Sequence, residues 1–312
     1  MKRIALVTLS FLLFIIFYAC KKENAPTKEV IISASEIKCD LQSIYFINAE
    51  IGYAVGLNDS IYKTIDGGTL WSVLPSGTSH FLNSICFTDD NTGYAVGWKG
   101  TIIKTINGGS SWSTLSSGII DFNLNSVFFT GANTGYIVGD AGTILRTTNA
   151  GTTWEPLTGG PSYAIKSIHF TDINNGFVVG WNGAMAKTSN GGINWTVINV
   201  TNTWLESVYF IDSNTGFAVG WDGAIIKTVD GGNSWVMKSS GTTNQLCSVH
   251  FINANVGYAV GFNGTLVKTG NGGSSWEAIS SGTNKNLYSL YFIDTLTGYI
   301  SGGSGTFLKF SE

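Results

Sequence analysis

The stretch Thr228-Val229-Asp230-Gly231-Gly232-Asn233-Ser234-Trp235 decides the fold, because five near-copies of it recur along the chain. The Asp side chain can accept hydrogen bonds from nearby backbone N–H groups, and the glycines permit positive φ. The pattern therefore predicts a tight hairpin turn, with the Trp opening the next strand and packing against a neighbouring unit. The other copies share Thr-x-Asp/Asn-x-Gly-x-x-Trp and cover residues 64–71, 105–112, 147–154, 188–195 and 269–276.

The third position of this octapeptide favours a structural role. It holds an acid in two copies and an amide in four, so the site works equally well without a carboxylate. Such a position does not act as a general acid, a nucleophile or a hard-metal ligand. We predict no catalytic residue, no metal and no cofactor. The six structural residues are Asp66, Asn107, Asn149, Asn190, Asp230 and Asn271.

A longer repeat surrounds each octapeptide. Every unit opens on Leu or Ile, has Ser two residues later and Phe three residues beyond that, and the period is 40–42 residues. No helical periodicity appears, and each unit has room for four short strands separated by Gly, Asn or Asp. The sequence therefore predicts an all-β, seven-bladed propeller of four-stranded antiparallel blades. The repeats begin at Leu41, Leu82, Leu124, Ile165, Leu205, Leu246 and Leu287.

The two ends of the chain predict how the propeller closes. The seventh unit ends after its third strand and has no octapeptide. Residues 29–35 read Glu-Val-Ile-Ile-Ser-Ala-Ser and precede the first unit at the spacing of a fourth strand. We expect this N-terminal strand to complete the last blade, which leaves no bare sheet edge. The propeller would then span residues 29–312.

The first 20 residues indicate export. Lys2 and Arg3 precede an apolar run over 4–18, and Ala19-Cys20 are followed by a charged segment. A small residue directly before Cys resembles the lipobox of bacterial lipoproteins, and this resemblance implies that Cys20 becomes the lipid anchor. Residues 21–28 would be a tether, and Lys21 after the Cys favours the outer membrane. An ordinary cleaved signal and an uncleaved anchor are the alternatives.

Composition limits the range of partners. The formal net charge is −3 and only 12% of residues are charged, so the clustered basic surface expected of a nucleic-acid-binding protein is not indicated. We expect a monomer. The remaining cysteines and the histidines have no metal-ligand spacing and are interpreted as packed side chains. They are Cys39, Cys86, Cys247, His80, His169 and His250.

Aromatic residues gather on one predicted face. They occupy the turn between the second and third strands of several units and the loops that enter the first strand, opposite the octapeptides. An exposed aromatic rim would suit a protein or a glycan, whereas rings folded onto the next blade would be packing. The candidate binding rim is Trp98, Trp181, Trp221, Phe262, Trp204 and Tyr163.

One basic residue per unit precedes the Thr of the third strand. As a ring, these residues could attract acidic partners. Alternatively, each covers apolar surface between blades with its charged end in water, and the regular repetition favours this second interpretation. The basic ring is Lys63, Lys104, Arg146, Lys187, Lys227, Lys268 and Lys309.

The octapeptide is the Asp-box, or bacterial neuraminidase repeat. With Gly-Tyr-x-Val-Gly and Gly-Thr-Ile-x-Lys/Arg-Thr around it, the unit resembles the photosystem II assembly and stability factor propellers. This resemblance implies a non-catalytic, seven-bladed extracytoplasmic propeller that assists a membrane-protein subunit. The chain has a single arginine, Arg146, after the leader, where that family is expected to present an arginine-rich surface. A scaffold role outside photosynthesis therefore stays open.

Asp-boxes also occur in sialidases and other glycan hydrolases. Sialidase chemistry needs three arginines around the substrate carboxylate, and this chain has two in all. The repeats differ in length by at most two residues, so no insertion is available to build a catalytic cleft. We interpret Asp140, Asp222 and Glu206 as solvated acids on short turns. We expect no enzyme activity, and the alternative is a glycan-binding or glycan-hydrolysing surface lipoprotein.

Overall fold

The computed structural model describes residues 37–311. These residues form seven antiparallel sheets arranged as a ring, six with four strands and one with three. The predicted all-β, seven-bladed propeller is confirmed. We name the strands of a blade a, b, c and d in chain order. Strand a lies innermost in every blade and the others follow towards the outside, with strands a, b and c described in the last blade. The strand predicted over 29–35, the tether and Cys20 lie outside the described residues.

The strands of each blade have the following bounds. Blade 1 consists of β1 (Leu41–Phe46), β2 (Gly52–Gly56), β3 (Ser60–Thr64) and β4 (Ser72–Pro75). Blade 2 consists of β5 (Leu82–Phe87), β6 (Gly93–Gly97), β7 (Ile102–Thr105) and β8 (Ser113–Leu115). Blade 3 consists of β9 (Leu124–Phe129), β10 (Gly135–Gly139), β11 (Ile144–Thr147) and β12 (Glu155–Pro156). Blade 4 consists of β13 (Ile165–Phe170), β14 (Gly176–Gly180), β15 (Met185–Thr188) and β16 (Thr196–Val197).

The remaining blades follow the same order. Blade 5 consists of β17 (Leu205–Phe210), β18 (Gly216–Gly220), β19 (Ile225–Thr228) and β20 (Val236–Lys238). Blade 6 consists of β21 (Leu246–Phe251), β22 (Gly257–Gly261), β23 (Leu266–Thr269) and β24 (Glu277–Ala278). Blade 7 consists of β25 (Leu287–Phe292), β26 (Thr297–Gly302) and β27 (Phe307–Ser311). Single 3-10 turns join strands b and c at Trp98–Gly100, Asp140–Gly142, Trp181–Gly183, Trp221–Gly223, Phe262–Gly264 and Gly303–Gly305. No helix within residues 37–311 is long and apolar enough to cross a membrane.

The hydrophobic core lies between blades. In one of seven clusters, Phe177 and Met185 of blade 4 pack against Leu205 and Trp235 of blade 5. Phe177 stacks on Phe210 of the next blade with ring centroids 3.9 Å apart. Since each blade alone would expose these faces, burial against its neighbours is the main term that stabilises the ring.

The same contacts join the last blade to the first. The Tyr299 ring of blade 7 stacks on Phe46 of blade 1 at 3.6 Å, and Ser301 Oγ donates to the Leu41 carbonyl at 3.2 Å. The Gly305 N–H also donates to the Cys39 carbonyl oxygen at 2.7 Å. The ring of blades therefore closes through packing and hydrogen bonds within the described residues.

The octapeptides form the turns between strands c and d. In blade 5, Thr228 Oγ1 donates to Asp230 Oδ1 at 2.8 Å and accepts from the Gly232 N–H at 2.9 Å. The Ser234 N–H donates to Asp230 Oδ1 at 2.9 Å. The hydrogen bonds from Ser234 and Thr228 hold the pKa of Asp230 down, to about 2. The side chain of the third position thus organises the turn, and an Asn oxygen accepts the same hydrogen bond in four of the other copies.

The innermost strands enclose a central channel. The Ser at the third position of strand a accepts a hydrogen bond from a backbone N–H of strand a in the next blade. Ser167 Oγ accepts from the Val208 N–H at 3.2 Å in this way. Ser289 Oγ of the last blade accepts from the Ile44 N–H of the first at 3.4 Å. These bonds satisfy donors that an edge strand would otherwise leave unpaired.

Two positions further along, aromatic and imidazole rings fill the channel. Tyr209 lies 5.1 Å from His169 and 4.5 Å from His250 between ring centroids. We call this group the aromatic layer, formed by Tyr45, Cys86, Phe128, His169, Tyr209, His250 and Tyr291. Burial lowers the pKa of both histidines to about 4, with His169 adding a smaller effect on His250, and raises the pKa of Cys86 to about 12.

Candidate binding site at the channel mouth

Each innermost strand contains a β-bulge at its second residue. The pairing of strand a with strand b shifts there, as between Leu205 and Ser207, so the residue between them leaves the regular alternation and turns its side chain towards the channel. One such residue per blade lines a cavity of about 380 Å³ at the end of the channel opposite the octapeptides. We call this cavity the channel mouth; its seven bulge residues are Gln42, Asn83, Asn125, Lys166, Glu206, Cys247 and Tyr288.

Two bulge residues hold adjacent blades together. Asn83 Nδ2 donates to the Leu124 carbonyl oxygen of the next blade at 2.9 Å, and Asn125 Nδ2 donates to the Ile165 carbonyl oxygen at 2.9 Å. In blades 4 to 7 the same position holds Lys, Glu, Cys and Tyr, so this part of the mouth differs from the rest in charge and shape. The sevenfold repetition is broken at this part of the mouth.

Three tryptophans of blades 4 and 5 border this part of the mouth. The rings of Trp181 and Trp204 are stacked with centroids 4.6 Å apart, and Trp204 lies 4.6 Å from Trp221 at a tilt of 56°. We call these three residues the indole stack. The Lys166 ammonium lies 5.1 Å from the centroid of Trp181, at the end of the stack away from Trp221.

Local backbone geometry explains why the turn that begins at Trp221 meets the loop that holds Trp204. Gly220 ends β18, and a Cβ there would lie 2.0 Å from the Trp204 carbonyl oxygen. Only Gly permits this approach, and the Trp221 N–H then donates to that same carbonyl at 2.9 Å. The two indoles are therefore adjacent because their backbones are.

Glu206 is the hydrogen-bond acceptor at the centre of the stack. Its Oε1 accepts from Trp221 Nε1 at 2.9 Å, from Gln245 Nε2 at 3.1 Å and from Trp181 Nε1 at 3.3 Å. Burial raises the pKa of Glu206, while the Lys166 charge and the two indole N–H groups oppose that rise. The expectation of a solvated acid on a turn is wrong for Glu206, which lies in β17 and lines the cavity.

The structure separates the residues of the predicted rim. Trp181, Trp221 and Phe262 line the channel mouth, and Trp204 joins them through the indole stack. Trp98, 41% exposed, packs on Phe81 instead, with ring centroids 4.7 Å apart. Tyr163 is 53% exposed, and neither Trp98 nor Tyr163 belongs to the cavity lining among the described residues.

The basic ring lies at the other end of the blades, beside the octapeptides. Lys63 Nζ donates to the Gly108 carbonyl oxygen of the next blade at 2.8 Å and lies 5.3 Å from the Tyr53 ring centroid. The Tyr53 hydroxyl donates to the same carbonyl at 2.8 Å. Lys104 and Lys227 contact the next octapeptide in the same way, and Lys187 donates to the Asn233 side chain. Arg146, Lys268 and Lys309 lie over the Tyr rings of their own blades. The hydrogen bonds from Lys63, Lys104, Lys187 and Lys227 run between blades, whereas the ring contacts lie within a blade. Whether the ring also attracts a partner stays a prediction.

The bulge residues were missed by reasoning from the sequence. Their signal was present, because the residue between the constant Leu or Ile and the constant Ser changes in charge and size from unit to unit. A strict two-residue alternation would not assign it to the channel, and the bulge that does so is visible only in the paired strands. Within residues 37–311, no group of three or more His, Cys, Asp and Glu side chains has the arrangement of a metal site.

Fold and site together define a propeller of the Asp-box class with one asymmetric cavity on its channel axis. The sequence profile of the family described as photosynthesis system II assembly factor YCF48 matches residues 71–163 and 197–281. The chain belongs to this family. The comparison with curated proteins found no match.

Several solved structures share the fold. One, described as YCF48 bound to D1 peptide, is 20% identical with a TM-score of 0.76, over 93% of this chain and 96% of that one. YCF48 from Cyanidioschyzon merolae is 20% identical with a TM-score of 0.75, over 92% and 99% of the two chains. A GH74 xyloglucanase from Xanthomonas campestris is 11% identical with a TM-score of 0.72, over 89% of this chain and 53% of the xyloglucanase. At these identities the likeness concerns the fold alone.

Proposed function

We propose that this protein is a non-catalytic, extracytoplasmic scaffold or assembly factor that binds a protein partner at the channel mouth. The supporting observation is the asymmetry of the seven bulge residues, because in blades 4 to 7 they differ in charge and shape at one cavity on the channel axis. An exposed indole beside a concave site, as Trp221 is here, is typical of a binding hot spot. Family membership and the relative described as bound to D1 peptide support a peptide segment of a membrane protein as the partner.

We also propose that the protein is anchored to a membrane. Lipidation of Cys20 would hold the propeller at the outer membrane, through the tether over 21–28, and would keep it close to membrane-protein partners. The composition of the mouth argues against hydrolysis, since Glu206 is the single carboxylate among the described residues that line the cavity. Glycoside hydrolysis ordinarily needs a pair of carboxylates.

A matched pair of tryptophans tests the proposed surface. Trp221 and Trp98 occupy the same turn in different blades and are 40% and 41% exposed, but only Trp221 lines the cavity. We expect Trp221→Ala to reduce the protein recovered by affinity purification of the tagged, membrane-extracted chain by about tenfold, as truncating a hot-spot residue does. Trp98→Ala should leave recovery unchanged.

Circular dichroism at increasing temperature should show both variants folded. Equal recovery with both variants would exclude the channel mouth as the protein-binding surface. The alternative function, glycan binding, is favoured by the stacked indoles and the amides in the mouth. Saturable binding of an oligosaccharide on a glycan array that is lost in Trp221→Ala, with no protein partner recovered, would support it instead.

A further inference from the structure

Glu206 uses only one of its two carboxylate oxygens. Trp221, Trp181 and Gln245 all donate to Oε1, and Oε2 accepts none of the hydrogen bonds formed among residues 37–311. An ionised carboxylate offers about four lone-pair sites on its two oxygens. A carboxylate held among aromatic rings with one oxygen unused is therefore ready to accept a further donor, and a charged donor would gain most.

The surrounding rings favour a cation as that donor. Trp221 is 40% exposed beside Glu206, and Phe262 lines the same cavity. The faces of aromatic rings carry negative electrostatic potential and attract cations, and indole is the most effective ring. The Glu206 carboxylate and the Trp221 indole therefore both attract a cation to this point of the channel mouth.

The position of the charged side chains in the channel mouth determines where a cation can approach. Lys166 and Glu206 are the charged side chains among the described residues that line it. The Lys166 ammonium lies 5.1 Å from the ring centroid of Trp181, and its charge acts on Glu206 from that side of the indole stack. The open side of the stack at Trp221 is therefore where a second cation can approach Glu206 with least repulsion.

We propose that the channel mouth receives one arginine side chain of the protein partner, with the guanidinium donating to Glu206 Oε2 and stacking on Trp221. Arginine fits better than lysine because its planar, weakly hydrated guanidinium stacks on indole and presents parallel N–H donors to a carboxylate. This inference rests on the proposed function and names the chemical group that the protein-binding site recognises.

A blocked peptide and its neutral analogue test the assignment. The probe is Gly-Gly-Arg-Gly-Gly with both ends capped, and its partner has citrulline, an uncharged isostere, in place of arginine. Titration of the purified chain, followed by tryptophan fluorescence and calorimetry, should show saturable binding of the arginine peptide. We expect the citrulline peptide to bind at least about tenfold more weakly, because the charge-assisted bond and the cation–π contact are lost.

Three variants separate recognition from structural support. Glu206→Gln should weaken binding of the arginine peptide about tenfold, and Asp222→Asn, on the exposed adjacent turn, should leave it within about twofold. Asn182 and Asn263 occupy the equivalent turn position in other blades, so Asp222→Asn preserves the backbone. Lys166→Met should tighten binding by about twofold or more, because it removes a like charge. A Glu206 that only positioned the indoles would give no such tightening.

Two outcomes would overturn the assignment: equal binding of the arginine and citrulline peptides, or unchanged arginine binding in Glu206→Gln. If Glu206→Gln unfolds, the citrulline and Lys166→Met measurements decide. Partner recovery that is lost in Trp221→Ala but retained in Glu206→Gln would refute arginine recognition and leave the protein-binding function intact. Recovery of no protein by the unmodified chain would refute the proposed function, whatever the peptide result.

Discussion

The fourth position of the octapeptide has positive φ, and Ala150 is the residue that stands there in place of glycine. The other five copies have Gly there, whereas Ala150 adopts φ 53°. A residue with a Cβ in this region is strained by roughly 1–2 kcal/mol, and the greater chain entropy of Gly offsets part of that. We expect Ala150→Gly to raise the free energy of unfolding by about 0.5–1 kcal/mol, measured by urea denaturation.

The matched control is the reverse change in blade 5. Gly231 has φ 66° and a Cβ there would lie 3.2 Å from the Ser213 carbonyl oxygen, so Gly231→Ala should destabilise the protein by about 1 kcal/mol or more. A loss of stability in Ala150→Gly would show that the Cβ of Ala150 contributes packing that outweighs the backbone strain.

Residues whose roles are local could be assigned from the sequence. Thr228 and Asp230 make the turn bonds that their chemistry predicts, because those bonds span four residues or fewer. Glu206 could not be assigned in this way, since its hydrogen-bond donors lie up to 39 residues away. Trp98 and Trp221 have the same local sequence context, and only the rings that they meet in the folded chain distinguish them.

At the level of elements, serine side chains satisfy the inner sheet edges. We call the bonds in which the Ser Oγ of one strand a accepts from the next strand a the serine circle, and six of them are formed among the described residues. Ser167 Oγ accepts from the Val208 N–H of the next strand a. We expect Ser167→Ala to lower the free energy of unfolding by about 1–3 kcal/mol, because that partly buried N–H loses its acceptor. Ser239→Ala, at an exposed position, should change it by less than about 0.5 kcal/mol. Equal effects in urea denaturation would show that the circle adds nothing to stability.

The strands themselves were predictable, and their register was not. Strand type follows from alternation and from turn residues, and the seven first strands begin at the residues that open the repeats. The bulge adds one residue to strand a opposite strand b, and this reverses which side chains face the channel beyond that point. The channel mouth therefore required the paired strands to be seen.

For the whole molecule, the buried aromatic layer predicts acid sensitivity. His169 and His250 have pKa values lowered to about 4 by burial, against about 6.5 in an unfolded chain. The unfolded state thus binds more protons between these values, so stability is fully present above about pH 6.5 and falls as the pH falls towards 4. We expect a loss of about 2–3 kcal/mol per histidine over that range, measured by thermal unfolding at fixed pH values.

A double variant isolates the two histidines from the carboxylates. Phe128 occupies the equivalent position in blade 3, so His169→Phe with His250→Phe fits the layer while removing both titrations. Its stability should change less between pH 6.5 and 4.5 than that of the unmodified chain. Parallel curves would assign the acid sensitivity to other groups, such as Asp89 and Asp172, whose pKa values are held low by hydrogen bonds.

The seven bulge side chains meet at one cavity. Most contacts that hold the blades together are made by other residues of the repeat. Codons 166, 206, 247 and 288 could therefore be randomised in a display library, since the four side chains line the cavity at the channel mouth. Selection from such a library would yield binders of new specificity with an unchanged backbone. The arrangement resembles the variable loops of an antibody placed on strands, where rotational symmetry fixes the spacing and point mutation alone supplies diversity.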